Sequence, residues 1–282
     1  MDVPYPRSWR SLSRVDLDAG LNNSAAVRNS DEIVDGWTSR SALVRSEHPD
    51  YLDLRYGPRE RNRIDFLKAR DGAPTLFFIH GGYWQFRAKE HFAFAAAGPL
   101  AQGINVALIG YTLAPDASLD AIVSEIRDGL DFLVDRLPRT VADPGPIVAG
   151  GWSAGGHLAI TALKHDKVAA ALAISGVFDL EPIRHSYIND KLGLDRDAAL
   201  RNSPVSWHDD SKKPVSLVVG TDELPLLREE SAHYAAVRSL KRLPTTYEEI
   251  AGANHFTIME EMARPCGRIT TLVRRLLEDV RA

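Results

Sequence analysis

The sequence predicts an α/β fold, with a mostly parallel central sheet, helices on both faces and a small insertion above one edge. Three observations carry this expectation. Short continuous apolar runs recur from residue 73 onward, the form of strands buried on both faces. Helical stretches separate them, and that alternation builds parallel sheets whose ligands sit at the carboxyl ends of the strands. One run passes through a glycine-rich turn straight into a helix.

Residues 1 to about 50 are polar and mixed, and Asn22, Asn23, Ser24, Asn29 and Ser30 interrupt any periodicity. They are expected to form an arm wrapped over the core, not a separate domain. Strands are expected at 74–79, 105–109, 146–149, 168–174 and 214–219, with 245–250 (Thr-Thr-Tyr-Glu-Glu-Ile) as a further edge strand. The clearest helix follows Ser118: Leu119, Ile122, Val123, Ile126, Leu130 and Leu133 fall at three- and four-residue spacing before Pro138 stops it. Other helices are expected over residues 89–101, 154–165, 225–240 and 257–277. Segment 178–213 has no long periodic stretch and reads as the insertion, a small lid. All 282 residues are expected to fold as one domain.

Composition narrows the function classes. With 44% hydrophobic and 26% charged residues the chain is globular, which excludes a disordered chain, a collagen and a disulfide scaffold. Lys and Arg number 34 against 38 Asp and Glu, a net −4, so the excess positive field that gathers nucleic acid or anionic lipid is missing. Neither nucleic acid nor a membrane is an expected partner; a homodimer stays open. The single cysteine, Cys266, can form no intramolecular disulfide and no multi-thiolate zinc site, which fits a reducing compartment and makes the cytoplasm the default. Residues 1–14 carry Asp2, Arg7 and Arg10 but no apolar run, so no signal peptide or anchor is expected.

The chemistry concentrates in three places. Gly151-Trp-Ser153-Ala-Gly155 lies between an expected strand and an expected helix. A strand turning sharply into a helix crowds the backbone, and small flanking residues let Ser153 adopt a strained conformation that presents its hydroxyl. The helix N-terminus behind it favours negative charge. A plain glycine-rich turn or a phosphate loop is the competing account, but no Lys-Ser/Thr follows at the spacing a phosphate loop needs.

A serine hydroxyl is too weakly acidic to attack at neutral pH, so a histidine must take its proton and a carboxylate must orient that imidazole. In strand-helix hydrolases both follow the serine. Gly220-Thr-Asp222-Glu223 ends the run 214–219, with Asp222 expected as the acid because its short side chain could turn inward at once. Glu223 stays open, since either acid can serve. For the base, His255 in Asn254-His-Phe follows the last strand. His233 is expected inside a helix and His157 in the helix after Ser153, whereas His48, His91, His165, His185 and His208 lack such context. No pair of histidines has metal-ligand spacing, so neither metal nor cofactor is expected. Ile79-His80-Gly81-Gly82-Tyr83-Trp84 follows the first strong strand, where glycines let backbone amides approach an oxyanion. Ala154, next after the nucleophile, should supply another N–H.

His80-Gly-Gly-Tyr-Trp, Gly151-Trp-Ser-Ala-Gly-Gly-His-Leu and Asn254-His-Phe resemble the kynurenine formamidase (arylformamidase) group of α/β-hydrolases. The likeness extends to Leu21-Asn-Asn-Ser, Leu54-Arg-Tyr-Gly, Ser175-Gly-Val-Phe-Asp-Leu-Glu-Pro and Asp222-Glu-Leu-Pro, while Trp152 replaces the histidine common before this family's nucleophile. The resemblance implies Ser153, Asp222 and His255 as a triad, with oxyanion donors at Gly81, Gly82 and Ala154. It implies hydrolysis of N-formylkynurenine to kynurenine and formate, on a small aromatic acyl substrate. Tyr83, Trp84 and Trp152 are the expected substrate contacts: a formyl group needs almost no acyl pocket, whereas an aryl leaving group could stack on Tyr83 or Trp84, for which packing of the loop onto the lid is the equal alternative. The alternatives are a broad carboxylesterase or hydrolase of another small amide, and a non-catalytic ligand-binding relative of the same fold.

Overall fold

Every residue of the strand Thr75–Ile79 is buried, and its side chains divide between two apolar layers: Phe77 and Ile79 on one side, Leu76 and Phe78 on the other. That two-sided burial is why the run is continuously apolar instead of alternating. The computed structural model describes residues 8–139, 141–207 and 211–279. His208 and the first seven residues, which entered the expectations above, lie outside them.

Among the described residues eight strands form one sheet. They are β1 (Leu54–Arg55), β2 (Arg63–Leu67), β3 (Thr75–Ile79), β4 (Asn105–Ile109), β5 (Ile147–Trp152), β6 (Val168–Ile174), β7 (Val215–Gly220) and β8 (Thr245–Ile250). Their order is β1-β2-β4-β3-β5-β6-β7-β8; β2 runs antiparallel to both its neighbours, β1 and β4, and the remaining pairs are parallel. The chain passes from β3 to β4 on one side, then crosses to β5 on the other. The carboxyl ends of β3 and β5 therefore flank the point where the winding reverses, which is where open α/β sheets bind ligands. Ile79 pairs with Gly151 across this point, so the loops after both strands start side by side.

Helices cover both faces. Leu119–Asp131, capped by the Ser118 side chain at Ala121 N, packs Leu119, Ile122, Ile126 and Leu130 into the first layer. Arg268–Asp279 packs Ile269, Leu272, Val273 and Leu276 into the second. The expected helix over 257–277 is broken: Arg264 is extended before Pro265, and proline both removes an N–H and disfavours a helical residue before it. The expected helix over 89–101 likewise resolves into two short 3-10 turns and the helix Ala97–Ala101.

The described part of the N-terminal segment, expected without periodicity, forms the helices Arg14–Leu21, Asn23–Ala26 and Ser30–Glu47. Asn22, one of the polar residues that hide its periodicity, acts as a cap by accepting from Ala25 N, as Ser13 does from Asp16 N. Trp37, 1% exposed, fixes the arm by stacking on Phe94 at 5.1 Å and meeting the edge of Trp152 at 5.5 Å. Segment 178–207, which connects β6 to β7, forms the short helices Glu181–Arg184, Asn189–Leu192 and Arg196–Arg201. Among the described residues no helix is long and apolar enough to cross a membrane.

Candidate active site

Ser153 sits between β5 and the helix Ala154–Ala162 with φ 57° and ψ −123°, in the left-handed half of conformational space that non-glycine residues avoid. Such strain persists only where the surroundings enforce it. Here the Ser153 amide is anchored to Ile174 O at 2.7 Å, while its carbonyl accepts from Gly156 N and His157 N. A Cβ on Gly155 would lie 2.0 Å from Ile79 O, so only glycine lets the new helix pass this close to β3.

The histidine and acid arrive from β7 and β8. His255 Nδ1 lies 2.7 Å from Glu223 Oε2, with both side chains buried. A carboxylate accepts, so Nδ1 carries the hydrogen and Nε2 keeps the lone pair needed to take a serine proton. Glu223 Oε1 accepts from Ser175 Oγ at 2.5 Å and from Gly220 N at 2.7 Å, which fixes the carboxylate. Asp222, the expected acid, is not brought to His255. Its amide is tied to Ala253 O, its side chain is exposed, and its Oδ1 accepts from Thr221 Oγ1 at 3.1 Å. The chain turns before it re-enters the core, and the longer carboxylate one residue on spans the gap. Sequence reasoning also passed over Ser175, which lies in a motif it had noted without assigning a role.

The loop after β3 lies against Ser153: a Cβ on Gly81 would sit 2.9 Å from Ser153 Cβ and 2.7 Å from Trp152 Cε3. His80 Nδ1, 2.8 Å from Gly81 O, must be its donor, because a carbonyl can only accept. The ring stacks on Tyr111 at 4.3 Å, and the Tyr111 hydroxyl donates to His80 O. Burial pushes the His80 imidazole down to about 3, so it stays neutral and holds the loop without adding charge. Among the described turn and loop bonds, the amides of Gly81, Gly82 and Ala154 donate to no backbone carbonyl. Ala154 is also the first residue of its helix, where an N–H has no acceptor within the helix. These three can serve an oxyanion.

The chain is similar to known proteins over most of its length. A family model described as BD-FAE matches residues 66–171. A kynurenine formamidase of Danio rerio is 26% identical, covering 95% of this chain and 98% of its own length; that of Salmo salar is 29% identical with the same shares. The chain is an α/β-hydrolase, similar over nearly its whole length to proteins named kynurenine formamidase. A solved structure described as a candidate thioesterase from Silicibacter sp. TM1040 superposes on the hydrolase with a TM-score of 0.83 at 26% identity, covering 92% of this chain and 99% of that one.

A cavity of about 370 Å³ opens above Ser153 and His255 of the hydrolase. Tyr83, Phe86, Trp152, Tyr187 and Phe256 supply aromatic walls, and Asn22, Asn23 and Ser24 of the arm close one side. Tyr83 is held by its hydroxyl, which donates to Leu21 O at 2.7 Å and accepts from Asn23 Nδ2 at 3.1 Å. Trp152 Nε1 donates to His255 O at 2.8 Å, so this indole both walls the cavity and fastens the loop that carries His255. Among the described residues no group of three or more His, Cys, Asp or Glu is placed to hold a metal.

Trp84 corrects another expectation. It does not border the cavity; it is fully buried, with its ring edge-on to His157 at 5.2 Å. His157 itself is wholly buried, its Nε2 donating to Asn202 O. Trp84→Ala should therefore destabilise folding by about 3–5 kcal/mol, as truncation of a buried aromatic does, instead of altering the choice of substrate. Urea unfolding checks the first part. An unchanged midpoint with a selective loss on aryl substrates would restore Trp84 to the binding site.

Proposed function

We propose that this hydrolase cleaves aryl formamides of the N-formylkynurenine type, giving formate and the free aryl amine. The carrying observation is the aromatic-walled cavity over Ser153 and His255, large enough for one aryl amide yet tight at the nucleophile, where the Trp152 ring abuts Gly81. Near full-length similarity to proteins named kynurenine formamidase supports the same substrate class.

In this mechanism His255 Nε2 takes the Ser153 proton as Oγ attacks the formyl carbon. The carbonyl oxygen becomes an oxyanion held by the amides of Gly81, Gly82 and Ala154, each such donor contributing about 3 kcal/mol in the transition state. Collapse breaks the C–N bond, and the imidazolium returns its proton to the departing amine. Water then attacks the formyl ester on Ser153, with His255 again taking a proton, and formate leaves as Oγ is reprotonated. Glu223 keeps the tautomer and stabilises each imidazolium. A cytoplasmic location belongs to the same proposal, supported by the free, exposed Cys266.

A second reading, ester or thioester hydrolysis, is favoured by the similarity to the Silicibacter structure. Comparing kcat/KM on N-formylkynurenine, a nitrophenyl ester and an aryl thioester separates them. The formamide should dominate; negligible formamide turnover beside robust ester turnover would overturn the proposal.

A further inference from the structure

Arg87 and His91 follow the oxyanion loop and border the same cavity as Ser153. Of the residues that line this cavity, none is Asp or Glu, and Arg87 is the one that carries a permanent charge. Arg87 is half-buried, and among the described residues no carboxylate lies within ion-pair distance of its guanidinium. Burial depresses its pKa, opposed at longer range by Asp31 and Asp35 on the helix Ser30–Glu47. A half-desolvated cation without a contacting anion is an unfavourable arrangement that a bound anion would relieve.

Three further features agree. The Arg87 backbone is held at φ 73°, with its carbonyl accepting from Arg61 Nη2, so its placement is enforced despite a conformation that arginine avoids. His91 Nδ1 accepts from Ala88 N, leaving Nε2 as an N–H donor beside the cation, and burial together with Arg87 holds its pKa below the usual histidine range. At the cavity rim Phe86 is 46% exposed, and Lys191 Nζ lies 5.3 Å from its ring centroid. Asp190, next to Lys191, faces Arg14 at 3.7 Å.

We propose that Arg87 determines specificity by binding a carboxylate on the leaving-group side of the substrate, with His91 as a neutral second donor. The proposal rests on the formamidase reading and deepens it: the preferred aryl formamides are those with an anionic substituent. Guanidinium suits this role because it presents paired N–H groups to a planar carboxylate and keeps its charge when partly desolvated.

The test uses the full chain with N-formylkynurenine and its methyl ester, which differ in the carboxylate alone. The wild type should favour the acid, and that preference should shrink as salt is raised. Arg87→Gln should cut the acid-to-ester ratio of kcat/KM roughly 10- to 100-fold, chiefly through KM, and Arg87→Lys should restore part of it. A ratio unchanged in both variants, or a wild type that favours the ester, overturns the proposal. A nitrophenyl ester pair with and without a carboxylate separates the two levels. If both formamides are inert while this pair still shows an Arg87-dependent preference, the formamidase reading fails and the anion site stands.

Discussion

Glu223→Gln is expected to lower kcat on an aryl formamide by about 10³- to 10⁴-fold, whereas Asp222→Asn should stay within a few-fold of wild type. An amide in place of the carboxylate preserves shape but removes the charge that stabilises the imidazolium, and it can hold the wrong tautomer; comparable changes in such triads cost about 10⁴. Glu223 is the acid bonded to His255 Nδ1, with Ser175 and Gly220 fixing its other oxygen, while Asp222 faces solvent. Steady-state rates on matched, folded proteins check the ranking. A severe loss in Asp222→Asn with a mild one in Glu223→Gln would mean that the carboxylates exchange places in the working enzyme.

Ser153→Ala and His255→Ala should each lose about 10⁴- to 10⁶-fold in kcat, and the double variant should lose hardly more than either alone. The two side chains act as one proton-transfer unit, so removing the second partner costs little once the first is gone. Folding should survive in Ser153→Ala, because that residue's anchoring bonds all run through its backbone. Independent, multiplying losses would argue that His255 serves another step.

Much of this site was legible because its constraints are local. The strand, Gly151-x-Ser153-x-Gly155 and the following helix occupy consecutive positions, so crowding at the turn left its mark in the sequence. His255 was legible through chain order. The acid was misplaced because the choice between adjacent carboxylates depends on how one turn meets another: Asp222 N bonds to Ala253 O, a partner 31 positions away. Trp84 was misjudged for a related reason, since a ring beside the oxyanion loop can face the cavity or the core, and only packing against His157 decides.

Strand β2 shows the limit for the fold. Asp65 breaks its apolar pattern, yet this side chain is fully buried, with its carboxylate 2.7 Å from Lys89 Nζ and also bonded to Arg45. A charge satisfied by distant partners looks like a surface residue when read alone. The arm was obscured in the same way, because Asn22 looked like a breaker and proved to be a cap. Arg87 gave no signal in the sequence, because the proposal for it rests on a cavity lining without Asp or Glu, and that lining is assembled from segments far apart in the chain.

The most direct measurement of the central claim is titration of the purified enzyme with a fluorophosphonate while kynurenine release from N-formylkynurenine is followed. One adduct per chain, mapped to Ser153, should form, and kynurenine release should fall in proportion to the fraction labelled. Undiminished release from fully labelled protein, or release from protein that never labels, would contradict the account.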